Sequence, residues 1–141
     1  MAELRYNPLL GDYVMIASHR QARPQMPKDY CPFCPGSGKV PDSYDVLCYD
    51  NDFPALSFEP PYPDDVDNGK LFRTAPSIGK CEVILYSSDH NTTLPELPVE
   101  HILKLVKLWQ ERMVKIAENK KIKYIMPFEN KGEVVGVTMP H

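Results

Sequence analysis

A chain of 141 residues with 43% hydrophobic and 25% charged side chains holds enough apolar material for one buried core, or for one half of something larger. Its net charge of -3 argues against nucleic acid or an anionic membrane as a partner recognised by bulk charge. No run of about 18 apolar residues exists to span a bilayer, and "MAELRYNPLLGD" lacks the basic-then-apolar order of a secretory leader, so the expected address is cytoplasmic.

In chain order, "DYVMIAS" (12–18) is the first clear strand, β-branched and aromatic after a glycine-containing turn. "SHRQARPQMP" is a basic loop punctuated by proline, and "DYCPFCPGSGKVP" is a compact Pro/Gly knuckle. "YDVLCYD" reads as a strand, "NDFPAL" as a turn with an Asn-Asp corner, and Glu59–Asn68 as a dispensable loop. "LFRTAPSIGKCEVILYS" holds a strand, a break at Gly79 and a second strand over Cys81–Ser87. The period then changes. Ile102, Leu103, Leu105, Val106, Leu108, Trp109, Met113 and Ile116 form a broad apolar stripe at helical spacing, with Pro98 at the start and an end near Asn119. Two further strands, "KIKYIMPFEN" and "GEVVGVT", flank a turn at Lys131-Gly132. The expected class is α+β, an antiparallel sheet with one long helix packed on it.

Cys31 and Cys34 flank Pro32-Phe33, and two thiolates at this spacing can hold one tetrahedral ion. Cys48 and Cys81 lie in predicted strands with apolar neighbours and read as core packing. His90 closes the strand "CEVILYSSDH" and His141 closes "VVGVTMPH"; if those strand ends converge on the knuckle, a Cys2His2 site results. Two other readings stay open. One is a redox pair, although the motif does not open a helix after a strand. The other is a surface turn with free thiols and solvated histidines. His101, on the helix, reads as a solvated or satisfied histidine, and His19 as support for the basic loop.

Five ordered stretches, "NPLLGDYVMIASHRQARP", "CPFCPG", "NDFPAL", "CEVILYSSDHNTTLPEL" and "FENKGEVVGVTMPH", make the chain resemble the N-terminal half of galactose-1-phosphate uridylyltransferases, in the histidine-triad superfamily. The resemblance implies a histidine-triad-like half-domain over residues 1–141, with Zn2+ on Cys31, Cys34, His90 and His141. It implies UDP-glucose and galactose-1-phosphate as substrates, a uridylyl-histidine intermediate and a homodimer. The family nucleophile stands two residues after the position of His141, so the chain reads as cut just before it. Among substrate positions, Arg20 and Arg23 correspond to arginines that reach the nucleotide sugar from the neighbouring subunit. Asn51 and Asp52 correspond to nucleoside contacts, Val40 to an apolar residue beside the base, and Asn130 to a residue near phosphate. Gly136, Val137 and Thr138 line the approach to the α-phosphate. A solvated basic loop and an Asx turn are the plainer readings of the arginines and of Asn51-Asp52.

Val137-Thr138 departs mildly from the family's usual Cys-Ser or Val-Ser. Pro32 stands where the family has an aromatic near the base, with Phe33 as a candidate substitute. The alternatives are a related ADP-glucose phosphorylase-like nucleotidyltransferase, a catalytically inactive zinc-stabilised nucleotide-binding fragment, and a zinc-knuckle interaction module.

Overall fold

The computed structural model describes residues 2–18 and 30–135. Its elements are β1 (Ala2–Asn7), β2 (Asp12–Ala17), β3 (Leu47–Asp50), β4 (Thr74–Pro76), β5 (Glu82–Leu85) and α1 (Val99–Ala117), with 3-10 turns at Leu94–Glu96 and Glu133–Val135. They are divided between two compact units, each assembled from two stretches of chain. One takes residues 2–18 and 51–81, the other residues 30–50 and 82–135.

The first unit is a three-stranded antiparallel sheet in the order β2-β1-β4. In β1, Ala2, Leu4 and Tyr6 alternate with Glu3, Arg5 and Asn7, the period-2 pattern of a strand. The hairpin to β2 closes on Asn7, whose side-chain oxygen accepts the Leu9 amide at 3.0 Å and whose carbonyl accepts the Gly11 amide at 2.9 Å. Gly11 sits at φ 74°, where a side chain is strained, so glycine suits the corner. Glu3, the most buried side chain of the strand, is neutralised by Arg5 at 2.6 Å.

Gly79, expected as a simple break, has another job. Its amide donates to Ser57 O at 2.9 Å, and a Cβ there would meet Leu56 Cδ1 at 2.8 Å and Leu56 Cβ at 3.0 Å. Gly79→Ala is therefore expected to destabilise the protein by about 1–3 kcal/mol, the range for overpacking, as read by urea denaturation.

The second unit pairs β3 with β5 antiparallel, from Leu47↔Leu85 to Asp50↔Glu82. Phe33, Val40 and Leu85 are its buried apolar centre, with Cys31, Tyr44, Leu47, Tyr49 and Val83 packed around them. Pro98 precedes α1, where its fixed φ of -59° costs no hydrogen bond. Only Leu105 of the helix is fully buried; His101, Ile102, Leu108, Arg112 and Ile116 share its covered side. Leu103, Val106, Trp109 and Met113 stay exposed, so the apolar stripe is broader than the face this unit covers.

Polar ties fasten the helix to the ladder. Arg112 grips the Glu82 carboxylate through two bonds, Nε to Oε2 at 3.0 Å and Nη2 to Oε1 at 2.7 Å. Cys48, read as plain core packing, in fact donates its thiol to Glu82 Oε2 at 3.4 Å. Burial and then that carboxylate push the Cys48 thiol up to about 11. A folded value above the ordinary 9.0 stabilises the fold fully below about pH 9, and that contribution is lost as pH rises toward 11. At pH 8, Cys48 in the native protein should be alkylated by iodoacetamide roughly 100-fold more slowly than in urea, because thiolate is the reactive form; site-resolved mass spectrometry checks this.

Two expectations are corrected. Among the described residues the strands form two sheets, one per unit, where one sheet was expected. "KIKYIMPFEN" is irregular, and Glu133–Val135 is a 3-10 turn where a strand was expected. Tyr124, Met126 and Phe128 do alternate at strand spacing, but a strand needs a hydrogen-bonding neighbour, and no described residue pairs with them.

Candidate metal centre

The knuckle is shaped by the residue between its cysteines. Phe33 is buried against Val40 and Leu85 and meets the Tyr49 ring edge-on at 5.2 Å. The Lys39 ammonium lies 5.0 Å from the Phe33 ring and 5.3 Å from the Tyr49 ring. Phe33 is thus a core anchor, and the idea that it replaces a base-facing aromatic finds no support in its position. The Cys34 amide donates to Cys31 O at 3.3 Å and the Ser37 amide to Cys34 O at 3.1 Å, two consecutive turns. Ser37 Oγ donates to Pro32 O at 2.8 Å, Tyr44 Oη to Phe33 O at 2.9 Å, and the Gly36 amide to Asp42 Oδ1 at 3.1 Å.

His90 arrives from the other stretch of the unit. Beyond β5, the Asp89 amide donates to Ser87 Oγ at 3.0 Å and the Asn91 amide to Asp89 Oδ1 at 2.9 Å, two side-chain-closed turns around the histidine. They leave His90 Nδ1 3.3 Å from Cys34 Sγ.

The ligand atoms of Cys31, Cys34 and His90 all lie within 4.8 Å of one another. A tetrahedral ion with metal–sulfur bonds of ~2.3 Å has ligand–ligand edges of about 3.8 Å, so three donors already sit near three corners. The donor set, two sulfurs and one imidazole nitrogen, is the one soft divalent ions select. Electrostatics agree. Burial first, then the neighbouring Cys31, push the Cys34 thiol up to about 11, and burial with the same two cysteines pushes Tyr44 to about 12. Negative charge is disfavoured here until a cation arrives.

Other candidate residues divide by position. Val40 is buried in the core beside Phe33 and Leu85. Asn51 Oδ1 accepts the Phe53 amide at 2.9 Å, which is the Asx turn, while Asp52 is exposed beside it. Asn130 is exposed in the irregular segment. Arg20, Arg23, Gly136, Val137, Thr138 and His141 lie outside the described residues, as does His19. His101 is satisfied, as one of its readings had it: Nε2 faces Tyr86 O at 2.7 Å and Asp45 O at 3.0 Å, so that nitrogen carries the proton. Sequence reasoning missed Tyr44 and the Glu82–Arg112 pair, since both depend on partners distant in the chain.

A family model, the N-terminal domain of galactose-1-phosphate uridyl transferase, matches residues 1–141. The chain belongs to this family. Among relatives, the galactose-1-phosphate uridylyltransferase of Thermotoga maritima is 42% identical over 100% of this chain and 44% of its own length. That of Haemophilus influenzae is 32% identical over 97% of this chain and 44% of its own. The chain therefore spans under half of the curated relatives it matches. A solved uridylyltransferase superposes with a TM-score of 0.82 at 29% identity, covering 99% of this chain and 43% of that one. An ADP-glucose phosphorylase from Arabidopsis thaliana with bound ADP-glucose is more distant, with a TM-score of 0.61 at 25% identity, covering 100% of this chain and 46% of that one. The α+β class with antiparallel sheets and one long helix is thus that of the uridylyltransferases.

Proposed function

We propose that residues 1–141 act as the N-terminal domain of a hexose-1-phosphate uridylyltransferase, which moves UMP between UDP-glucose and galactose-1-phosphate. The convergence of Cys31, Cys34 and His90 within a chain of this family carries the reading. The ion is zinc, with His141 as the fourth ligand. Held by Cys31, Cys34 and His90 with His141, it would supply a cross-link that stiffens the domain.

The remaining roles belong to this chain's own side chains. Arg20 and Arg23 present planar guanidinium forks to phosphate or sugar oxygens. Asp52, exposed next to the Asx turn that Asn51 closes, accepts hydrogen bonds from ribose hydroxyls. Asn130 and Thr138 donate to phosphate oxygens, and Gly136-Val137 lets the backbone approach them closely. Val40, through its place in the core, shapes the wall nearest the base. The working enzyme is a cytoplasmic homodimer, and the net charge of -3 on residues 1–141 leaves small anionic substrates to be caught by local arginines.

Assay of the whole protein tests this. With UDP-glucose and galactose-1-phosphate it should form UDP-galactose and glucose-1-phosphate, and Arg23→Ala should raise KM for UDP-glucose. A protein that ignores UDP-glucose and splits ADP-glucose with phosphate would overturn the reading in favour of the more distant neighbour's activity.

A further inference from the structure

The metal ligands reach one point from stretches 56 residues apart, and the β3–β5 ladder does not extend to either of them. Its last pair is Leu47↔Leu85. Past that pair, ladder hydrogen bonds hold neither the chain running on to His90 nor the chain running back to the knuckle. Side-chain donors on backbone carbonyls act there instead. His101 Nε2 is shared between Tyr86 O at 2.7 Å and Asp45 O at 3.0 Å, clipping the two chains together just beyond the ladder. One residue from Asp45, Tyr44 Oη donates at 2.9 Å to Phe33 O, the carbonyl midway between the two thiols.

From these contacts we propose that Tyr44 and His101 are positioning residues for the metal, bracketing the cysteine knuckle and the His90 arm through the Tyr44-Asp45 segment they share. The proposal rests on the metal reading above. All three acceptors are backbone carbonyls, so the device depends on the two donors and not on the side chains of the residues they grip. Tyr44 is partly buried against the core, where a lost hydroxyl takes from Phe33 O the donor that Tyr44 supplies. A built-in control exists. Lys104, on the same helix, binds the Asp45 carboxylate and donates to none of the three carbonyls.

The test uses the whole protein, Co2+ as a spectroscopic probe and Zn2+ in competition with a chromophoric chelator. Tyr44→Phe and His101→Leu should each weaken Zn2+ binding roughly 10-fold, at the low end of what outer-shell changes cause. Each should also alter the visible d–d bands of the Co2+ form, which report tetrahedral geometry. His101→Gln, which keeps an N–H donor, should restore much of the affinity, and Lys104→Met should leave it unchanged. Should His101→Leu fail to fold, Tyr44→Phe decides alone, since it removes one oxygen.

A bracket that serves only general stability would lower the melting temperature of Tyr44→Phe and leave its Co2+ spectrum and Zn2+ affinity as in the wild type; that result overturns the proposal. A separate failure is recognisable. If the wild type binds Co2+ no better than a Cys31→Ser, Cys34→Ser double variant, the metal reading itself falls, and the bracket with it.

Discussion

On the proposed metal site, Cys34→Ser should weaken Zn2+ binding by roughly 100-fold or more, because it removes one of the three clustered donors, where even outer-shell changes cost about 10–100-fold. Hydroxyl oxygen is a poor replacement for sulfur toward a soft ion. Chelator competition measures the loss directly, and melting temperature gives a second reading. Excess chelator should bring the wild type down toward the variant, since metal affinity is also folding free energy. The pH dependence has a definite sign. In the metal-free protein the Cys34 thiol, lifted from 9.0 to about 11 by burial and then by Cys31, stabilises the fold fully below about pH 9, and that contribution is lost as pH rises toward 11. Metal uptake requires the thiol proton to leave, so Zn2+ binding should tighten between pH 7 and pH 9.

Arg112→Met should cost about 3 kcal/mol of stability, toward the low end of the range for breaking a buried pair from one side. The Glu82 side chain is only 7% exposed and Arg112 20%, so the orphaned carboxylate has little access to water while the departing cation was partly solvated. The loss should shrink in acid, where protonation of Glu82 removes the uncompensated charge. Replacing both partners, Glu82→Leu with Arg112→Met, should recover most of the stability, because two apolar groups fill the same space without a desolvation penalty. Urea denaturation of the three variants at pH 7 and pH 5 checks each expectation.

What could be read in advance follows from how local each signal is. The helix was legible from its period and from Pro98, and its end at Ala117 falls two residues short of the expected Asn119. Cys31, Cys34 and His90 were legible because ligand chemistry permits few residue types, and the structure brings those three together. β1 went unread although Ala2, Leu4 and Tyr6 alternate cleanly; buried Glu3 shows why apolar alternation alone misjudges which face turns inward. "KIKYIMPFEN" was over-read, because alternation describes a face a strand could offer and says nothing of a partner. The separation into two sheets, the Tyr44 and His101 bonds and the Arg112–Glu82 pair all join residues far apart in sequence, and no local pattern encodes them.

Each unit draws on both sides of the 59–68 loop. β1 pairs with β4 across it in one unit, and β3 pairs with β5 across it in the other. The knuckle cysteines precede that loop and His90 follows it. A single protease cut between Pro60 and Pro63 would spare the Asp67 side chain that ties the Leu71 and Phe72 amides, at 2.8 and 3.0 Å. The severed protein would stay whole in native buffer and come apart only on denaturation, as two pieces that were never separate domains. Expressed as separate fragments, the same two pieces would each lack half of both sheets and part of the ligand set, so neither half is a folding unit and only their reunion restores one.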